Sequence, residues 1–152
     1  MTDIVSPATR SRMMAGIKGK DTKPELLVRK ALHARGFRYK LHDKNLPGKP
    51  DLVFPKYKAV IQINGCFWHK HDCHIFKWPK SKQEFWRNKI LGNVERDKRK
   101  LAEIEGMGWR VLTVWECCFK GKTKPPFEEC IETIVTWLEA GKDSCEISGN
   151  VE

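Results

Sequence analysis

With 152 residues, 40% of them apolar and 32% charged, the chain has room for one domain built on a single core. A formal net charge of +10 attracts polyanions, nucleic acid first among them. No long apolar run, lipidation motif or basic amphipathic anchor supports a membrane role, and the N-terminal MTDIVSPATRSRMMAGIKGK lacks the apolar core of a signal peptide, so a cytoplasmic protein is expected.

Residues 1–22 read as a flexible basic arm, with Met13 and Met14 as its one large apolar pair. A helix is predicted from Lys23 to Arg35. Thr22-Lys23-Pro24-Glu25 resembles a capping box, Leu27, Val28, Ala31 and Leu32 share a face, and Gly36 suits the stop. Phe37 to His42 alternates like a strand, LPGKP is turn chemistry, and Asp51–Phe54 and Ala59–Ile63 read as further strands. A loop rich in cysteine and histidine follows, to about Lys80. A second capping box, Ser81 to Glu84, then opens a long charged helix with Ile90, Val94, Leu101 and Ile104 facing inward and Gly106 and Gly108 ending it. WRVLTVW (109–115) is a strong strand. Pro125 and Pro126 introduce a last helix with Phe127, Ile131, Ile134 and Leu138 on its buried stripe. The expected architecture is an α/β domain over 23–141, a single mixed sheet flanked by helices, with 142–152 as a polar tail.

The loop NGCFWHKHDC (64–73) concentrates the chemistry. Cys66, His71 and Cys73 are soft ligands, and zinc in a structural role takes four thiolate or imidazole donors. The fourth is expected from Cys117 or Cys118, only one of which can point at the loop, while His69 and His74 are rival ligands. Free thiols are the alternative; for Cys130 and Cys145 that is the expected state. Asp51, after a tight turn at a strand start, can hold magnesium or simply cap its turn. His69 suits a general base, and equally a zinc ligand or surface histidine. Glu25 is explained by its capping box, and Asp97 by an ion pair on an exposed helix face. Phe67 and Trp68 are adjacent aromatics in an irregular segment. Either they pack against the core and the metal loop, or they form a wedge for base pairs. Trp86, Lys89, Ile90, Asn93 and Asp97 follow at helical steps, a face that is solvated or meets nucleic acid.

LPGKPD, GCFWH, the His71 and Cys73 pair, EFW, NVERD and GWRVLTVWEC occur here in one order. In this the chain resembles the very-short-patch-repair (Vsr) DNA mismatch endonucleases, from Ala8-Thr9-Arg10-Ser11 to the last helix. The resemblance implies a restriction-endonuclease-like core with a structural zinc. It also implies magnesium-dependent nicking of duplex DNA 5′ of the thymine in T·G mismatches left by deamination of 5-methylcytosine. The implied setting is a bacterial cytoplasm, in association with the nucleoid, with a cytosine-5 DNA methyltransferase as genetic companion. The protein itself is expected to be a monomer. Position by position, Asp51 and the Ile63 backbone carbonyl would bind magnesium, His69 would be the base, and Glu25 and Asp97 would support them. Cys66, His71, Cys73 and Cys117 would hold zinc. Phe67, Trp68 and Trp86 would form the wedge, with Met14 approaching from the opposite groove and Lys89 and Asn93 near the mismatched pair.

The chain departs from pattern at Gln62-Ile63-Asn64. The wider nuclease superfamily places an acid and a lysine there, and many repair members a threonine and a histidine at 63 and 64. A backbone carbonyl at position 63 survives the change, but Asn64 cannot trade a proton as histidine does. A zinc-stabilised mismatch-binding module that does not cut, and a restriction-type nuclease of the same fold, are the alternatives.

Overall fold

Alternation along three short strands decides how the chain is layered. In the computed structural model, which describes residues 22–149, Leu52, Phe54, Ala59, Ile61, Leu112 and Val114 point to one face of a sheet. Val53, Val60 and Val111 point to the other. Both sets are buried, because a strand covered on both faces cannot expose either side-chain row. The strands are β1 (Lys40–Leu41), β2 (Leu52–Phe54), β3 (Ala59–Asn64), β4 (Arg110–Trp115) and β5 (Cys145–Ile147), and they lie side by side in that order. The pairs β1–β2 and β2–β3 are antiparallel, and β3–β4 and β4–β5 are parallel.

Helices α1 (Lys23–Ala34) and α3 (Phe127–Ala140) cover the first face through Val28, Leu32, Cys130, Ile131, Ile134 and Leu138. Helix α2 (Gln83–Gly106) lies on the second face, where Ile104 packs with Val53, Val60 and Val111. Each fully buried aliphatic of this kind stabilises the fold by about 1.5–3 kcal/mol relative to exposure. Arg110 ties the last helix down. Its guanidinium stacks 4.4 Å from the Trp137 ring and donates to the Trp137 and Leu138 carbonyls at 2.7 and 3.0 Å, where a helix end leaves acceptors open.

The expected mixed sheet flanked by helices is what the chain forms, with local differences. The strand expected from Phe37 shrinks to two residues. Phe37 instead packs under the sheet edge-on to Phe54, and His42, with φ +46°, ends the pairing. The buried stripes are narrower than a 3.6-residue period suggests: Leu27 and Leu101 are exposed, since a helix on a narrow sheet buries only the residues directly above the strands. Thr22 does cap α1, accepting from the Glu25 N–H at 3.4 Å, and the Glu25 carboxylate is buried and meets Arg29 and His42. The second capping box does not form: Lys82, in a left-handed conformation, occupies the cap with no side-chain bond. Finally, the polar tail contributes β5. Its two apolar residues, Cys145 and Ile147, are too few to mark a strand. Parallel pairing with β4 holds it, Ile147 packs against the main core, and the side chains of Glu146 and Ser144 accept from Trp115 Nε1–H at 2.7 Å and from the Val111 N–H at 3.0 Å. The arm, Met14 included, lies outside the described residues.

Candidate active site and metal centre

The functional side chains gather at one end of the sheet, where the parallel strands β3 and β4 finish and the cysteine-histidine loop begins. Ligands commonly bind outside the carboxyl ends of such strands. Asp51 enters β2 beside this end. Its Oδ2 accepts the Ile63 N–H at 2.7 Å, so the register of β2 on β3 fixes the carboxylate next to the Ile63 backbone. Only 5% of Asp51 is exposed, and burial pushes its carboxyl up to about 8. The Ile63 N–H opposes the rise and the neighbouring Glu25 adds to it.

Glu25 is 1% exposed at the base of α1. Its Oε2 accepts from Arg29 at 2.8 Å and lies 2.9 Å from His42 Nε2, which in turn is 3.9 Å from Asp51 Oδ1. A helix-starting glutamate that its local sequence explains as a cap, and that the resemblance implied would support Asp51, therefore lies beside Asp51 in an acidic pocket. His42 was not anticipated. The signal was present in the hairpin: Leu41 pairs with Leu52, so the next residue on β1 must face Asp51, and the His42 N–H donates to the Asp51 carbonyl at 3.2 Å.

His69 sits in the loop after β3, with Nδ1 2.5 Å from Asp97 Oδ2. Asp97 thus pairs with a histidine and not with a basic neighbour on its own helix. The helix face that begins at Trp86 reaches the loop here. A carboxylate on Nδ1 fixes the tautomer and leaves Nε2 to accept a proton.

Cys66, His71, Cys73 and Cys117 bring their donor atoms within 4.8 Å of one another. His71 Nδ1 is 3.5 Å from Cys66 Sγ and 3.6 Å from Cys117 Sγ. Tetrahedral zinc, with bonds near 2.3 Å to sulfur and 2.1 Å to nitrogen, separates the two kinds of donor by about 3.6 Å. The donor set fits that ion. Burial pushes the Cys66 and Cys117 thiols up and holds His71 below its usual value, so the imidazole is neutral and ready to ligate, while the thiols need a cation to ionise. Around this cluster, Trp115 stacks on His71 with centroids 4.1 Å apart. Glu116 accepts the Cys66 N–H at 3.0 Å, and the Gly149 N–H donates to Cys117 Sγ at 3.2 Å.

Cys118 points away into the main core beside Cys130, because β4 ends at Trp115 and a turn of 3-10 helix over Glu116–Cys118 takes over. One of the two adjacent cysteines faces the loop, but 3-10 geometry and not strand parity selects it. His74 stays out of the cluster; its Nδ1 meets Thr123 Oγ1 at 3.3 Å.

Neither loop aromatic is in the core. Phe67, Trp68 and Trp86 are half-buried and form a triangle with centroids 5.2, 5.5 and 5.8 Å apart. Phe76 and Phe85 extend it, and Phe85 is exposed. Asn93 holds the triangle in place, its Nδ2 donating to the Trp68 carbonyl at 2.9 Å, while Lys89 stands in solvent beside it.

Residues 2–75 match the family described as DNA mismatch endonuclease Vsr. The chain is 42% identical to the DNA mismatch endonuclease Vsr of Escherichia coli K12 over 138 residues, which covers 91% of this chain and 88% of that protein. It is 48% identical to the Type II nicking enzyme V.XorIIP of Xanthomonas oryzae pv. oryzae over 117 residues, covering 77% and 86% of the two chains. With the Type II nicking enzyme V.NmeAIP of Neisseria meningitidis the identity is 50% over 122 residues, covering 80% and 87%. Identity of this extent, over most of both chains, places the chain in the Vsr DNA mismatch endonuclease family.

Proposed function

We propose that this protein nicks duplex DNA on the 5′ side of the thymine in a T·G mismatch, by magnesium-dependent hydrolysis of a phosphodiester. The observation that carries the reading is the 2.5 Å contact of His69 Nδ1 with Asp97 in a loop whose next residues close the thiolate cluster. A base on a flexible loop would be aimed loosely. Here four donors within 4.8 Å of one another would hold zinc, which when bound would keep the loop rigid.

In this reading Asp51 and the Ile63 carbonyl would hold magnesium, which when bound would supply charge neutralisation at the scissile phosphate. His69 Nε2 takes the proton of the attacking water as its oxygen bonds to phosphorus; the bond from phosphorus to the sugar oxygen breaks, and that oxygen takes a proton from solvent water to leave as a hydroxyl. Asp97 keeps Nδ1 protonated and stabilises the imidazolium that results. Glu25 lies against Asp51 and tunes its charge. The structure offers no lysine in the slot Gln62-Ile63-Asn64, in keeping with a histidine base.

The aromatic triangle supplies selectivity. Parting stacked bases costs on the order of a few kcal/mol per step, and a weakly held T·G pair lowers that cost. Lys89 and the +10 net charge supply phosphate contacts that carry no sequence information. Production of T·G from 5-methylcytosine makes a cytosine-5 methyltransferase the natural companion activity in a bacterial cytoplasm. Among the described residues no helix is long and apolar enough to cross a membrane.

The test is a nicking assay on end-labelled duplexes that differ only at one T·G pair. Magnesium-dependent nicking of the mismatched strand, abolished by Asp51→Ala and His69→Ala, is expected. Tight mismatch binding with no strand break in any divalent metal would mean a binding module instead. Equal cutting of matched duplex would mean a restriction-type nuclease.

A further inference from the structure

His42 has no place in the chemistry above, yet its position is closely specified. The hairpin pairs its N–H with the Asp51 carbonyl, and its backbone takes φ +46°, a conformation uncommon for any residue but glycine. That backbone directs Nε2 to within 2.9 Å of Glu25 Oε2 and 3.9 Å of Asp51 Oδ1. Glu25, His42 and Asp51 offer three donor atoms that all lie within 4.8 Å of one another. An ion about 2.1–2.2 Å from each of three donors separates them by about 3.0 to 4.4 Å. Holding Glu25 does not itself require an imidazole, because Arg29 is already on the same oxygen at 2.8 Å.

Resting on the nuclease reading, we propose that Glu25 and His42 Nε2 join Asp51 and the Ile63 carbonyl as protein ligands of the catalytic cation, and that this mixed nitrogen–oxygen set makes the site prefer manganese to magnesium. Magnesium is hard and keeps oxygen ligands. Manganese accepts the same carboxylates and also an imidazole. The thiolate cluster does not compete for the probe, because soft sulfur donors retain zinc.

The experiment uses zinc-loaded, DNA-free protein titrated with manganese, the free ion being followed by electron paramagnetic resonance and magnesium measured by competition. Pulsed resonance on the bound ion then reports coordinated nitrogen, and labelling the wild-type protein with 15N-histidine identifies it without any substitution. Manganese should bind about tenfold more tightly than magnesium, with a histidine nitrogen signal that survives His69→Ala. His42→Gln should remove the signal and weaken manganese about tenfold while leaving magnesium within about twofold. Absence of the signal in wild type, or its persistence in folded His42→Gln protein, would overturn the assignment. Asp51→Asn separates the two readings. If it abolishes binding of both metals while His42→Gln changes nothing, only the role of His42 falls. If it leaves both affinities intact, the metal site at Asp51 falls as well.

Discussion

Asp51 should cost the metal-free protein stability, and Asp51→Asn should restore it while ending activity. The carboxyl is buried beside Glu25 and titrates at about 8 in place of the ordinary 3.8. Below pH 4 the folded and unfolded chains both carry the proton and there is no penalty. Between 4 and 8 the unfolded chain gives it up and the folded chain keeps it, so the folded state binds more protons and stability falls as pH rises. Above 8 the loss is complete. A shift of about four units at about 1.4 kcal/mol each sets a ceiling of about 6 kcal/mol. An asparagine keeps the oxygen that accepts the Ile63 N–H and gains an N–H to donate to Glu25, but its amide must still be desolvated, so a net gain of about 2–4 kcal/mol at pH 8 is expected. Urea unfolding in magnesium-free, zinc-replete buffer at pH 5 and pH 8 measures it. The wild-type midpoint should drop between the two pH values more steeply than that of the variant. Saturating divalent metal should recover the wild type and leave the variant unmoved. Parallel curves, or a variant less stable than wild type at pH 8, would refute the argument that burial of this charge dominates the pocket.

The remaining predictions concern the loop and its aromatics. Metal analysis should find one zinc per chain, lost in Cys117→Ser and kept in Cys145→Ser, because the first thiol is buried in the four-donor cluster and the second is exposed. Retention in both would move the site elsewhere. Asp97→Asn should lower single-turnover nicking by at least about 100-fold with little change in DNA affinity, since it removes the group that orients His69; an unchanged rate would leave His69 without its orienting partner. Trp68→Ala should reduce the affinity ratio between T·G and matched duplex by about tenfold, the value of one base–aromatic stack, in a fluorescence binding titration. A ratio that stays put would assign the triangle to packing alone.

Much of the layering was legible because it follows from periodicity. Val60 and Ile61 had to face opposite ways, and Ile131, Ile134 and Leu138 had to share a stripe. The thiolate cluster was partly legible for a similar reason: three donors lie within eight residues, and one of two adjacent cysteines had to be the fourth. What resisted was everything set by backbone pairing between distant segments. β5 is three residues long, too short for a period to show, and what holds it joins it to distant segments, as in the Glu146 bond to Trp115 across 31 positions. His42 and Asp51 are nine positions apart in sequence and become neighbours through a register of two paired residues.

Glu25 and Asp97 show the limit most clearly. Each had a sufficient local explanation, a cap and a surface ion pair, and each is used over a longer distance, by Asp51 and His69 respectively. A local partner satisfies a carboxylate only while that carboxylate remains in water. Glu25 is 1% exposed, and there a backbone N–H it could accept from at the helix start is worth about 1 kcal/mol, against the several kcal/mol by which a buried charge gains from Arg29 and an acidic partner that shares its proton. Burial therefore decides which of two available partners a carboxylate takes. Burial is a property of the packed sheet and not of the helix that carries the residue, so spacing along α1 could not show the acidic pocket; the resemblance pointed to Glu25, and the physical reason for it emerges only once α1 is placed on the sheet.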